Sequence, residues 1–258
     1  MLNQFVKDQN KTLGLMTHII CGYPSFEANW EILEEMDKAK IDIVEMQFPF
    51  SEPIADGPVF AMANQKSIEN GTTIDQCFDF MKKATDKFSF KIVMMGYYNT
   101  VYKMGENDFC ARIKASGGQG IIIPDVPLEE SNGLRNACKN NGIDFIPLTA
   151  PTNSPERLTQ ICEMANEADS LVYAVARKGV TGNNTEFDGS IDGYLAHLKK
   201  TLKVPLAVGF GISKPVDLEY LTGKADMAVI GTAVLKSYES GGKAEVAKFF
   251  NELLGSKV

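Results

Sequence analysis

Eight short apolar, β-branched runs recur along the chain, each followed by a stretch whose apolar residues return at helical spacing. The runs are Leu15 to Cys21, Ile41 to Phe48, Lys91 to Gly96, Gly120 to Ile123, Asp144 to Leu148, Leu171 to Val175, Pro205 to Val208 and Met227 to Ile230. Spread over 258 residues, they give about 32 residues per unit, the size of one strand–helix repeat. Strands apolar on both faces, each followed by a helix, predict a parallel sheet covered all round. Eight of them close most naturally into a (β/α)8 barrel of the TIM type, with a doubly wound open sheet as the alternative. No Pro/Gly/Ser-rich linker or shift in composition divides the chain, so residues 1–258 are expected to form a single barrel domain with an N-terminal extra helix.

Helix starts support this reading. Ser25 precedes Phe26, Trp30 and Leu33 on one face, Thr73 with Gln76 is a capping-box pair, and Ser154 with Pro155 is an N-cap followed by an N1 proline. Near the end, Val246, Phe249, Phe250, Leu253 and Leu254 form an apolar stripe that should pack onto the sheet. Two connections, Pro49 to Thr73 and Ala176 to Ser190, exceed the ~2 to 6 residues usual after a strand. These long loops follow strands two and six, so both belong to the C-terminal face, where barrel enzymes place their chemistry.

Charge narrows the function. With 26 Lys and Arg against 33 Asp and Glu, the formal charge is −7. No basic run exceeds the pairs Lys82-Lys83 and Lys199-Lys200, which argues against nucleic acid as a partner. Hydrophobic residues at 44% and charged residues at 23% suit a packed core and not a disordered chain. No apolar run approaches the ~18 residues needed to span a bilayer, and Met1 to Asp8 lacks a signal-peptide pattern, so a cytoplasmic protein without a membrane partner is expected. The five scattered cysteines read as free thiols, and two histidines leave little for a metal site.

Several residues could carry chemistry. Period-two alternation puts Val44, Met46 and Phe48 on one face of the second strand and Ile43, Glu45 and Gln47 on the other. With the larger apolar set against the helices, Glu45 points inward near the catalytic rim. Loss of hydration there raises a carboxyl toward the range of a general acid or base, unless Lys or Arg pairs with it. Asp56 lies in the proline-rich loop Pro53 to Pro58, either as part of a tight turn or as a positioned acid. Gly209-Phe210-Gly211-Ile212-Ser213 after strand seven and Gly231-Thr232-Ala233 after strand eight look like a backbone cradle for phosphate. Arg177 to Gly182 opens the long loop after strand six like a lid. Tyr173 either projects its phenol into the pocket or fills the barrel, and Asp125 is a site residue or a helix cap. The eleven Met residues read as core filler.

Together these motifs resemble the tryptophan synthase alpha subunit family along the whole chain. The resemblance is sharpest in E-M-Q-F-P-F-S-E-P-I-A-D-G-P from Glu45 to Pro58, R-K-G-V-T-G from Arg177 to Gly182, G-F-G-I-S from Gly209 to Ser213, and Pro124-Asp125-Val126-Pro127. It implies a lyase of tryptophan biosynthesis that cleaves indole-3-glycerol phosphate to indole and glyceraldehyde 3-phosphate by a retro-aldol reaction, without metal or organic cofactor. Glu45 and Asp56 match the catalytic pair. His18, Met95, Ile122, Tyr173, Thr181, Gly182 and Phe210 match substrate-binding positions, and Gly209, Gly211, Gly231 and Thr232, with Gly182, match the phosphate site. The implied partner is a beta subunit, in an alpha-beta-beta-alpha complex, docked on the loops after strands two and three and receiving indole through a tunnel. The chain departs from the family pattern where Gln47 stands for a glycine, Glu52 for an Asp, Tyr23 for an Asp, His18 for an aromatic residue and Thr232 for a serine.

Other readings meet obstacles. A Schiff-base aldolase needs a strand-borne lysine in the pocket, yet Lys178 follows strand six and Lys91 lies at the wrong strand end. A phosphoribosyl isomerase would want carboxylates ending strands one and five, where Cys21 and Leu148 stand. A binding or regulatory subunit that switches a partner is the reading from a different class.

Overall fold

The computed structural model describes residues 1–176, 189–209 and 211–255. Its strands are β1 Gly14–Ile20, β2 Ile43–Gln47, β3 Lys91–Met95, β4 Gly120–Ile122, β5 Asp144–Phe145, β6 Leu148–Thr149, β7 Val172–Val175, β8 Leu206–Gly209 and β9 Met227–Ile230. All pairings are parallel, in the order β5-β4-β3-β2-β1-β9-β8-β7-β6. Only Ile146 and Pro147 separate β5 from β6, so the two ends of that order meet along the chain. The Ile146 N–H donates to the Ile121 carbonyl (2.9 Å), and the Tyr173 N–H donates to the Pro147 carbonyl (3.0 Å). The sheet is therefore a closed (β/α)8 TIM barrel, and the open doubly wound alternative is excluded. One expectation needs correcting: the fifth run is two short pieces and not one strand. Pro147 faces β7 and has no N–H to give that ladder, which interrupts regular pairing there.

The expected caps are formed. Ser25 Oγ accepts from the Ala28 N–H (3.1 Å) at the head of α2, Phe26–Lys38. Thr73 and Gln76 exchange both capping-box bonds at α4, Ile74–Lys87. Ser154 caps α8, Pro155–Ala168. The stripe near the end lies on α11, Thr232–Leu254, with Val246, Phe250 and Leu253 buried. A second correction concerns the long connection after β2. It contains a helix, α3, Pro58–Glu69, with proline at its first turn. Its buried face is Phe60, Ala63, Asn64 and Ser67, and the two polar members of that stripe mask its helical period. Further helices are α5 Tyr98–Met104, α6 Glu106–Ala115, α7 Asn132–Asn141, α9 Gly189–Thr201 and α10 Pro215–Leu221. Among the described residues, no helix is long and apolar enough to cross a membrane.

Two cores result. Val44, Met46 and Phe48 join the shell between barrel and helices, whereas Met16, Ile43, Val93, Ile122 and Met227 fill the interior. Burial of each such side chain contributes about 1.5–3 kcal/mol. The extra helix α1, Leu2–Asp8, plugs the end of the interior opposite the catalytic rim: Leu2, Phe5 and Val6 pack there, and the Leu2 N–H donates to Asp144 Oδ2 (2.7 Å). With that end closed, the strand C-termini are left to build the site. Met16, Met36, Met46, Met81, Met94, Met95, Met164 and Met227 are buried core residues, and all five cysteines are buried and unbridged.

Candidate active site

The parallel register sets His18 of β1 beside Glu45 of β2, and Glu45 beside Val93 of β3. Alternation turns Glu45 and Gln47 inward, as expected. Glu45 is 3% exposed. Burial, reinforced by the negative charge of Asp56, pushes its carboxyl up to about 8. No Lys or Arg pairs with it among the described residues. His18 lies beside it, with Nδ1 3.5 Å from Oε1. Burial lowers the His18 imidazole to about 3, so this contact joins two neutral groups near pH 7 and is not an ion pair. His18 is held against the Phe60 ring at 4.4 Å between centroids.

Asp56 is held by three donors on one oxygen. Gln47 Nε2 (2.7 Å), the Tyr97 hydroxyl (3.1 Å) and Asn64 Nδ2 (3.4 Å) all donate to Oδ2. Burial raises the carboxyl to about 6, and those same donors oppose the rise. Asp56 thus ionises below neutral pH while Glu45 stays protonated. Two carboxyls whose surroundings separate their pKa values are suited to distinct acid and base tasks.

Tyr97 and Asn64, which hold Asp56, are residues of this site that the sequence reading missed. Tyr97 follows β3 by two positions, accepts from the Ala55 N–H (3.1 Å) and stacks on Phe50 at 4.9 Å, which fixes the Asp56 loop. Asn64 Oδ1 accepts from the Phe50 N–H (3.0 Å) and from Gln47 Nε2 (3.2 Å), while its Nδ2 donates to the Phe60 carbonyl (2.8 Å). No sequence signal marked Asn64, because it interrupts the apolar stripe of α3 that would have revealed the helix. Asp125 Oδ1 accepts from the Tyr98 N–H (2.9 Å) at the head of α5, an earlier helix than any that Asp125 itself could start.

On the far wall, burial, with the negative charges of Glu45 and Asp56 adding to it, pushes the Tyr173 phenol well up. A Cβ on Gly209 would meet its hydroxyl at 2.8 Å, so glycine there is what admits the Tyr173 ring. Met95 and Ile122 end neighbouring strands and are buried in the interior. Gly211 has φ +72°, a conformation that favours glycine. Gly231 begins α11 with no side-chain cap, and its Cα faces Phe60 and His18 closely enough that a Cβ would lie 3.2 Å from the Phe60 ring. Thr232 is the first residue of that helix. The structure thus brings Glu45, Asp56, His18 and Tyr173 together, with Met95 and Ile122 on strand ends and Gly209, Gly231 and Thr232 on the β8–β9 side. Thr181, Gly182, Phe210 and the lid sequence from Arg177 lie outside the described residues.

This arrangement agrees with the comparison against known proteins. The sequence model of the tryptophan synthase alpha chain matches residues 4–254. The chain belongs to the tryptophan synthase alpha chain family. An alpha chain from Desulfotalea psychrophila is 43% identical over 96% of each chain, and one from Desulforapulum autotrophicum is 38% identical over 98% of this chain and all of that one. Among solved structures, the tryptophan synthase A-subunit of Pyrococcus furiosus superposes with a TM-score of 0.85 at 30% identity, covering 94% of this chain and 98% of that one. A tryptophan synthase complex from the same organism gives 0.84 at 29% identity over the same shares. Like those alpha chains, this one is a TIM barrel, and its inward carboxyls lie at the barrel's C-terminal rim.

Proposed function

We propose that this alpha chain cleaves indole-3-glycerol phosphate to indole and glyceraldehyde 3-phosphate, acting as one barrel domain in the cytoplasm and passing indole to a beta subunit. The observation that carries the reading is a pair of buried carboxyls at the C-terminal rim of the barrel, Glu45 turned inward beside His18 and Asp56 gripped at Oδ2 by Gln47, Tyr97 and Asn64, with burial raising both carboxyls. Cleavage to indole needs a proton on ring carbon C3 and loss of a proton from the adjacent glycerol hydroxyl. Protonated Glu45 delivers the first and, once ionised, takes the second. As the indolenine cation forms, its ring N–H gains acidity, and ionised Asp56 accepts that hydrogen bond through Oδ1, its Oδ2 being engaged by Gln47, Tyr97 and Asn64.

Met95, Ile122, His18, Phe210 and Tyr173 form the wall around the indole in this reading, with Thr181 on the closing loop. The phosphate sits on backbone N–H groups at Gly182, Gly209, Gly211, Gly231 and Thr232, where the first turn of α11 favours an anion without a basic side chain. A beta subunit docks over the loops after β2 and β3, where Ile54 (74%) and Tyr102 (72%) expose large apolar side chains. Indole release from indole-3-glycerol phosphate, assayed with and without a beta subunit, tests the reading. Wild-type protein with its partner that forms no indole would overturn the enzyme assignment and leave a ligand-binding regulatory subunit.

A further inference from the structure

We propose that Gln47 is a positioning residue for Asp56, locking the carboxylate so that Oδ1 alone faces the substrate. The inference rests on the role assigned to Asp56 above. Gln47 is fully buried at the C-terminal end of β2. Both hydrogens of its amide are committed: one goes to Asp56 Oδ2 (2.7 Å) and the other to Asn64 Oδ1 (3.2 Å). Its own Oε1 makes no hydrogen bond of ordinary geometry among the described residues, but the His18 imidazole lies against the Gln47 side chain and interacts with it. Turning the amide over would set that oxygen against two acceptor oxygens, so Asp56 and Asn64 fix its orientation. A strand thereby grips a loop residue. Asp56 lies nine positions further along the chain, and Gln47 ties it to the rigid sheet and, through Asn64, to α3. A glycine at this position supplies neither bond.

Among the described residues, the groups facing Asp56 are few. Glu45 approaches from β2, Tyr97 from the segment after β3 and Tyr173 from β7, the neutral amides of Gln47 and Asn64 lie beside them, and His18 of β1 reaches Gln47 from behind as a neutral imidazole. Glu45 adds a like charge when ionised, and neither tyrosine supplies a positive one. Hydrogen bonds are what keep Asp56 ionised in this buried setting, and Gln47 makes the shortest of them.

The test compares wild type, Gln47→Met, Asp56→Asn and the double variant, each with a beta subunit present, by indole release from indole-3-glycerol phosphate across pH. Methionine keeps the side-chain length and removes the donor. Gln47→Met is expected to lower kcat about tenfold with little change in KM and to move the acid limb of the pH profile up by about one pH unit, since lost donation raises a carboxyl pKa. In the Asp56→Asn background the same change should cost nothing further. An unmoved acid limb, or an additive loss in the double variant, overturns the proposal, because a packing role would not act through the carboxylate. Should Gln47→Met fail to fold, Gln47→Glu, with a carboxyl in place of the amide, must move the limb up at least as far. A fully active Asp56→Asn would instead refute the role of Asp56 itself, and this inference with it.

Discussion

His18 Nδ1 lies 3.5 Å from Glu45 Oε1 across the β1–β2 ladder, and the two residues are direct register partners. An imidazole beside a carboxyl would suggest an ion pair. Burial decides otherwise, lowering His18 to about 3 and raising Glu45 to about 8, so both are neutral at pH 7. A neutral neighbour leaves the Glu45 proton available for transfer, whereas a cation would have drawn it off.

Glu45→Gln keeps the size of the side chain and removes its titration. Indole release should fall by about 10²–10⁴-fold, the contribution typical of a positioned acid–base group. Binding of glycerol 3-phosphate, followed by calorimetry, should stay within about twofold. Retention of indole formation by this variant would eliminate Glu45 as the proton carrier.

The same substitution should change stability with a definite sign. Glu45 ionises near 4.5 when unfolded and near 8 when folded, so between those values the folded chain holds more protons. Stability therefore falls as pH rises from about 4.5 through about 8, by an amount on the order of a few kcal/mol. Glu45→Gln should be more stable than wild type near pH 9, and the advantage should fade toward pH 5. Urea unfolding at both values measures this, and a pH-independent difference would contradict the buried, protonated Glu45.

A bell-shaped profile of kcat/KM is expected for the wild type. Activity needs Asp56 ionised and Glu45 protonated, which sets an acid limb near 6 and an alkaline limb near 8. The two belong to an interacting pair. Asp56→Asn should move the alkaline limb down, because the negative charge that helps raise Glu45 is gone. An alkaline limb unchanged in that variant would show that the carboxyls do not communicate.

Gly209→Ala tests the far wall. The new methyl would lie 2.8 Å from the Tyr173 hydroxyl and 3.0 Å from its ring, so the phenol must shift. KM for indole-3-glycerol phosphate should rise about tenfold, while Gly209→Ala with Tyr173→Ala, where the obstacle is absent, should show no further rise over Tyr173→Ala. A normal KM in the single variant would mean that the phenol has room to move without consequence.

Much of the molecule was legible before folding. The inward turn of Glu45 follows from strand period two, the caps at Ser25, Thr73 and Ser154 from local hydrogen-bond chemistry, and the barrel from eight recurring strand–helix units. Helix α3 was not legible, because Asn64 and Ser67 occupy its buried face and break the apolar stripe. Nor was Tyr97, whose partner Asp56 lies 41 positions earlier. The splitting of the fifth strand depended on which neighbour Pro147 faces, a property of the sheet and not of the local sequence.

By itself, then, the sequence determined the repeat, the directions of the strand side chains and which residues could carry a proton, since each depends on local periodicity or side-chain chemistry. Only the tertiary structure decided their protonation states. A pKa is set by what surrounds a group once water is excluded. For Glu45 that is burial with the charge of Asp56 nearby, and for Asp56 it is burial opposed by the donors of Gln47, Tyr97 and Asn64, all brought together by closure of the barrel.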